Sequence, residues 1–351
     1  MAKVTKNKMS QQTLSAGALA THTRAWGLRS RPAGLPTMDN FELLPLDLPP
    51  LGEGLIRVRN SWLSVDPYMR ERMNDSKDYL PAFAIGAPME GGAVGQVVES
   101  RSPLHVVGDT VMHFHGWREM AVGPAAEFDK LPAMAMPVAD GQWLGNLGLT
   151  GSTAYFGLLH VAGAKKGDTL FVSAAAGAVG SAVVQIAKAR GLTVIASAGG
   201  SQKCAWVRSL GADEVIDYKA GPIAESLAQA APDGIDIYFD NVGGDHLDAA
   251  LLAARDHARF VMCGMIEGYN SDTSTSLRHI LRVVNSRLTL KGFIVTDFAA
   301  QMPEFYRDMG AWIASGQVKP HETVRDGIES TPQAFINLFS GGNTGKMLVR
   351  L

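Results

Sequence analysis

Only two cysteines, Cys204 and Cys263, occur among 351 residues. So few thiols exclude a disulfide framework and a Cys-rich metal lobe, and they make a reducing, cytoplasmic compartment the expectation. Charge is sparse as well: 19% of residues are charged, 32 Lys and Arg stand against 34 Asp and Glu, and the formal net charge is -2. No basic cluster of the kind that tracks a phosphate backbone is present, so a nucleic-acid partner is not expected. Long hydrophobic runs are also missing. A long uncharged and largely apolar stretch, residues 169–187, is divided by a glycine turn and dominated at its centre by Ala, Gly and Ser. It reads as a strand and a helix rather than a membrane span, and no membrane association is expected. Acidic residues are absent from the first 38 positions, where Lys3, Lys6 and Lys8 sit in a polar segment. That segment lacks the apolar core of a secretory signal. For residues 1–20 a disordered tail, an upstream start before Met9 and a transit peptide stay open.

What is present describes a globular chain of about two domains, 46% hydrophobic. Residues 24–28, 54–63, 92–98 and 109–114 are short alternating or apolar strands broken by Gly and Pro, which is the texture of a β-barrel. Residues 39–52 carry three prolines and read as loop with a short edge strand. From Asn146 onward, strands at 170–173, 193–198, 214–216, 236–239, 259–263 and 288–294 alternate with helices. That alternation predicts an α/β fold with a doubly wound parallel sheet. Residues 346–351 alternate again like a half-buried strand that returns to the first domain. The expected division is a tail at 1–20, a barrel domain at 21–145, a nucleotide-binding domain at 146–314 and a return segment at 315–351.

The segment 169–181, TLFVSAAAGAVGS, is an apolar strand that enters a glycine turn and then a small-residue helix. Gly177 and Gly180 fit the second and third positions of G-x-G-x-x-G, while Ala175 stands at the first. Gly177 lets backbone approach a pyrophosphate, Gly180 lets helix and strand pack closely, and the helix N-terminus offers unpaired N–H groups to the anion. An NAD site usually adds a carboxylate about 20 residues beyond the glycines, for the ribose hydroxyls. Here residues 197–203, SAGGSQK, contain no carboxylate and end in Lys203. A 2′-phosphate is admitted by small residues and bound by the lysine, so the pattern predicts NADP(H).

Several further segments carry a resemblance: VDPYMR at 65–70, GLTGSTAYFGL at 148–158, AAAGAVG at 174–180, YFDNVGG at 238–244, Cys263-Gly264 with Tyr269-Asn270, and Gly345-Lys346. Together, in this order from Thr21 to Leu351, they resemble the zinc-free branch of the medium-chain dehydrogenase/reductases. Within it they are similar to the leukotriene B4 dehydrogenase, prostaglandin reductase and curcumin reductase group. The resemblance implies a GroES-like barrel catalytic domain, a Rossmann domain inserted into it, and a homodimer. It also implies NADPH-dependent reduction of the carbon–carbon double bond of α,β-unsaturated ketones or aldehydes. It places Ala175, Ala176, Gly177, Ala178, Val179 and Gly180 at the pyrophosphate, and Lys203 and Tyr218 at the 2′-phosphate. Asn241, Cys263, Gly264, Tyr269, Phe293, Ile294, Val295 and Asn343 fall around the adenosine and nicotinamide sides.

A catalytic zinc needs three protein ligands and an open position. Neither cysteine lies in the barrel half, and His113 and His115, on one face of a strand, read as a satisfied pair rather than ligands. No metal is therefore expected, and the hydride acceptor must be activated by hydrogen-bond donors where enolate charge develops. Tyr269, just past the fifth strand of the second sheet, and Tyr68, facing the same cleft from the barrel, are the candidates. The proton for the α-carbon comes from Tyr269 or from water. Asp66 and Arg70 flank Tyr68 and are expected to form a local ion pair that holds its turn. Trp62, Phe83, Met89 and Met112 read equally as pocket wall and as core. The partner expected is a small apolar enone. Quinone reduction, and a non-catalytic NADPH-binding protein for structure or sensing, are the alternatives.

Overall fold

Alternation near the amino-terminal end produces antiparallel pairing. In the computed structural model, which describes residues 21–75, 80–270 and 276–351, β1 (His22–Leu28) and β2 (Phe41–Asp47) form a two-stranded sheet. Residues 39–52, expected as loop with a short edge strand, hold the seven-residue β2 and then loop. Pro45, paired with Arg24, is tolerated because a two-stranded sheet consists only of edges. The tail at 1–20 lies outside the described residues.

The barrel strands follow as β3 (Leu55–Ser64), β4 (Ala93–Ser100), β5 (Thr110–His113), β6 (Met120–Pro124) and β7 (Phe128–Lys130). The long β3 pairs with both β4 and β6, and β5 joins β4 to β7. Between β3 and β4, the turn at Asp66 to Tyr68 opens the short helix α1 (Met69–Arg72). Phe83 and Met89 are buried in the core beneath it, and Trp62 and Met112 pack against the neighbouring core.

Helix α2 (Leu149–Phe156) leads into the second sheet. Its strands are β8 (Thr169–Val172), β9 (Thr193–Ala198), β10 (Glu214–Asp217), β11 (Ile235–Asp240), β12 (Ala254–Met262) and β13 (Thr289–Gly292). Helices α3 (Ala178–Ala189), α4 (Ser201–Ser209), α5 (Ile223–Ala230), α6 (Gly244–Ala253) and α7 (Arg282–Asn285) are interleaved with them. Every pairing is parallel, in the order β10-β9-β8-β11-β12-β13. That is the order of a doubly wound dinucleotide fold, whose ligands sit at the carboxyl ends of the strands where the order reverses. One apolar cluster, with Val183, Val194, Ile237 and Phe305, covers one face of this sheet, and a second, with Phe171, Leu227, Tyr238 and Phe260, covers the other.

Helix α8 (Met302–Ala314) ends this unit. The chain then supplies β14 (Glu322–Asp326), α9 (Thr331–Phe339) and β15 (Lys346–Arg350). The two strands pair in parallel with each other, and β15 pairs antiparallel with β3. The carboxyl-terminal alternation therefore belongs to the seven-stranded sheet.

Candidate active site

A cavity of about 1180 Å³ lies at the carboxyl ends of β8 to β13 and is walled by segments of both sheets. It exceeds the few hundred Å³ of a typical small-ligand pocket and has room for a dinucleotide with a second molecule.

Its centre is the glycine turn. Gly177 caps α3 in extended conformation, and a Cβ on Gly180 would lie 2.4 Å from the Ala174 carbonyl oxygen and 2.8 Å from the Ala175 Cα. Only glycine permits that closeness of helix and turn. The left-handed residue is Ala174, at φ 49°, where a side chain costs about 1–2 kcal/mol. Ala175 is not left-handed. It is fully buried, its N–H donates to the Ser197 carbonyl at 2.9 Å, and it does not line the cavity. Alanine for glycine at this position therefore carries no conformational cost.

At one end of the cavity, β9 stops at Ala198 and gives way to Gly199 and Gly200. Around them stand Lys203, Tyr218 and Lys219. A Cβ on Gly199 would meet the Tyr218 hydroxyl at 2.7 Å and the Lys219 Cε at 3.0 Å. Burial first and the Lys219 charge second hold Lys203 below the usual lysine range. Among the described residues neither ammonium is within 4.0 Å of a carboxylate. Asp217 points elsewhere, accepting from the Gly200 and Lys219 N–H groups. Two lysines outside ion-pair distance of any described carboxylate, beside the glycine turn, fit a 2′-phosphate. Lys219 was not singled out by the sequence reading, although its place just past the third strand of a doubly wound sheet marks a ligand-facing position.

Toward the other end, the Asn241 side chain donates to the Ser173 carbonyl at 2.8 Å. The Cys263 and Gly264 N–H groups both donate to the Asp240 carbonyl at 3.0 Å. Desolvation, with Asp240 as the second cause, pushes the Cys263 thiol up to about 12, so it is inert at neutral pH. Tyr269 closes this loop, with its hydroxyl 3.2 Å from where a Gly264 Cβ would sit. Phe293, Ile294 and Val295, just past β13, and Asn343, before β15, complete the wall. Every sequence-predicted site residue except Ala175 lines this one cavity, Tyr68 included.

The loops that bear the two tyrosines are tied together. Arg70 Nε donates to Asn270 Oδ1 at 3.0 Å, while its other nitrogens reach Asn74 and the Gly34 carbonyl. The expected Asp66–Arg70 ion pair does not form. Asp66 is buried and its partner is Lys346, at 2.7 Å; burial selected a cation from the far end of the chain over the neighbour in sequence. Trp62, Phe83, Met89 and Met112 do not line the cavity, whose apolar wall includes Leu80, Phe114, Leu149, Ile266 and Met347. These residues carried no distinguishing signal, since isolated apolar residues in loops look like core. His113 Nε2 lies 2.8 Å from Asn60 Oδ1, its Nδ1 accepts from the His115 N–H, and His115 Nε2 meets Glu127 at 2.8 Å. Both histidines thus have protein partners. Among the described residues no three His, Cys, Asp or Glu side chains converge as a metal site.

Comparison with known proteins matches residues 24–131 to a family described as the N-terminal domain of oxidoreductase, and residues 178–315 to one described as zinc-binding dehydrogenase. The chain is 40% identical over 345 residues to the NADPH-dependent curcumin reductase of Escherichia coli K12, covering 95% of this chain and 99% of that one. It is 37% identical to prostaglandin reductase 1 of Bos taurus, with 94% and 99% covered. It is also 37% identical to the NADP(+)-dependent 2-alkenal reductase of Nicotiana tabacum, with 92% and 95% covered. The crystal structure of CurA from Vibrio vulnificus in complex with NADPH is 41% identical and superposes with a TM-score of 0.89, over 93% of this chain and 98% of that one. With a GroES-like barrel, a Rossmann sheet and these relatives along nearly its whole length, the chain belongs to the zinc-independent medium-chain dehydrogenase/reductases, in the group of curcumin, prostaglandin and 2-alkenal reductases.

Proposed function

We propose that this protein reduces the carbon–carbon double bond of small apolar α,β-unsaturated ketones and aldehydes with NADPH. The observation that carries the reading is a single cavity with two lysines outside ion-pair distance of any described carboxylate at one end and two tyrosines beside an apolar wall at the other. NADPH, when bound, supplies the hydride for the substrate β-carbon. The chain does the rest. The Ala176 to Gly180 turn and the α3 N-terminus hold the pyrophosphate, Lys203, Tyr218 and Lys219 hold the 2′-phosphate, and Asn241, Cys263, Gly264, Phe293, Ile294, Val295 and Asn343 line the path between. Tyr269 and Tyr68 donate hydrogen bonds to the carbonyl oxygen on which enolate charge collects. The α-carbon takes its proton from Tyr269 or from water.

Finer features follow from the same reading. The boundaries are 21–145, 146–314 and 315–351. A homodimer forms edge to edge through β13, which is the last strand of its sheet and lies near the exposed Leu281 and Val284. The compartment is cytoplasmic, in keeping with two free thiols; no helix among the described residues is long and apolar enough to cross a membrane.

NADPH oxidation measured against enals, enones, curcumin-like diketones and quinones, with product identification, tests the reading. Saturated ketones or aldehydes are the expected products. Hydroquinones alone, or no NADPH consumption with any acceptor, would overturn it.

A further inference from the structure

The Lys346 ammonium lies 2.7 Å from the Asp66 carboxylate, with side-chain exposures of 3% and 6%. It also donates to the Val65 carbonyl at 3.0 Å, and Ser64 Oγ donates to the second carboxylate oxygen. Both members of the pair line the cavity. On one side, Lys346 follows Gly345, whose N–H donates to the Ala176 carbonyl at 2.9 Å in a bridge to Gly177. Gly345 has φ 66°, and a Cβ there would lie 2.1 Å from the His321 carbonyl oxygen, so the crossing requires glycine. On the other side, the Asp66 carbonyl accepts from the Met69 N–H at 3.1 Å and closes the turn that carries Tyr68. Contacts therefore run unbroken from the phosphate turn through Gly345, Lys346 and Asp66 to Tyr68.

Stability alone does not account for such a pair. Desolvation offsets much of the attraction between buried charges, and apolar residues of similar volume hold a fold as well. What the pair adds is direction, because a lysine with two fixed acceptors and a carboxylate with two fixed donors have one arrangement. We propose that Asp66 and Lys346 are positioning residues that couple occupancy of the phosphate turn to the placement of Tyr68. The inference rests on the reading of this cavity as an NADPH-dependent ene-reductase site. A pyrophosphate on Ala176 and Gly177 fixes the Gly345 bridge, the bridge fixes Lys346, and Lys346 fixes the turn that presents the Tyr68 hydroxyl. Neither member of the pair exchanges a proton with substrate.

Hydrogen exchange of the full chain, with and without NADP+, tests the coupling in wild type, Lys346→Met and the double variant Asp66→Asn/Lys346→Met. The double variant leaves no unpaired buried charge and so keeps the test independent of misfolding. In wild type, NADP+ is expected to slow exchange about ten-fold both at residues 174–190 and at residues 64–73. In both variants the slowing at 174–190 and the NADP+ dissociation constant persist, and the slowing at 64–73 is lost. Turnover of an enone falls about 10- to 100-fold at unchanged KM for NADPH. A double variant that keeps the NADP+-dependent slowing at 64–73, or native turnover, overturns the coupling. Absence of slowing at 174–190 in wild type would refute the cofactor assignment itself, and the inference with it. If wild type shows both protections yet turns over no enone, the substrate reading fails, and the coupling is judged on exchange alone.

Discussion

Lys203 and Lys219 line the same cavity, and the charge of Lys219 helps to hold Lys203 below the usual lysine range, after the larger effect of burial. Repulsion between such like charges is relieved where an anion neutralises them. A phosphate dianion does so, and each charge-assisted hydrogen bond to it is worth about 1.5–3 kcal/mol.

Lys203→Ala is accordingly expected to weaken NADPH binding by roughly ten- to a hundred-fold and to leave NADH binding nearly unchanged. Lys219→Ala has the same sign and a smaller effect, because Lys203 stays in place and loses the lesser of the two causes that lower its pKa, while burial remains. The pH dependence follows from the lowered pKa. Only the ammonium form binds phosphate, so the preference for NADPH over NADH is lost as pH rises through the Lys203 pKa, at lower pH than an ordinary lysine would give. Fluorescence titrations of both cofactors across the alkaline range check this. Equal losses for NADPH and NADH would remove the lysines from the 2′-phosphate.

Tyr269→Phe deletes a hydroxyl and almost nothing else. Turnover with an enone is expected to fall about 10²–10³-fold, the cost of a lost oxyanion donor, with the NADPH dissociation constant little changed. Tyr68→Phe, on the opposite loop, is expected to fall less if Tyr269 also delivers the α-proton. Stopped-flow measurement of NADPH oxidation with a saturating enone separates the two. Native turnover in the Tyr269 variant would leave that residue as packing only.

Gly180→Ala places a methyl group 2.4 Å from the Ala174 carbonyl oxygen and 2.8 Å from the Ala175 Cα. Both obstacles are backbone, so α3 must move away from β8. Overpacking of this kind costs about 1–3 kcal/mol, and the shift carries the helix N–H groups away from the pyrophosphate. A lower thermal midpoint together with at least ten-fold weaker binding of both NADPH and NADH is expected. Because the pyrophosphate is common to both cofactors, loss of NADPH binding alone would contradict this geometry.

The contrast between Lys203 and Lys346 explains how much of the site could be read in advance. Lys203 lies in a local pattern of strand, glycine turn, strand and missing carboxylate, and local patterns survive in sequence. Lys346 is held by Asp66, 280 residues away, and no local rule pairs them; proximity favoured Arg70. Ala174 shows a different limit. Its left-handed φ leaves no mark in the residue type, because the strain is borne by alanine instead of being avoided with glycine. Pro45 is read more directly, since a breaker excluded from a central strand is acceptable at an edge, and β2 belongs to a sheet of two strands. Tyr68 and Tyr269 were legible as types and by element, but the Arg70–Asn270 tie between their loops depends on how two domains meet.

His113 gives the fold a predictable acid limit. Its Nε2–H donates to Asn60 Oδ1 at 2.8 Å, and its Nδ1 accepts from the His115 N–H at 3.1 Å; this arrangement requires a neutral ring. Burial first, then the charges of His115 and Arg118, depress its pKa to about 3. In the unfolded chain the same ring takes a proton near pH ~6.5. The unfolded state therefore binds the proton first as pH falls, and stability that is fully present above pH ~6.5 drains away toward pH ~3. Between pH 7 and 5 the loss from this one ring is about 2 kcal/mol. His246, depressed by its own burial to about 4, adds a loss of the same sign. Urea unfolding at the two pH values is expected to show a pH dependence smaller by about 2 kcal/mol in His113→Gln than in wild type. If both proteins lose stability equally on acidification, the ring is free to protonate in the folded state, and the neutral hydrogen-bonding arrangement between β3 and β5 is wrong.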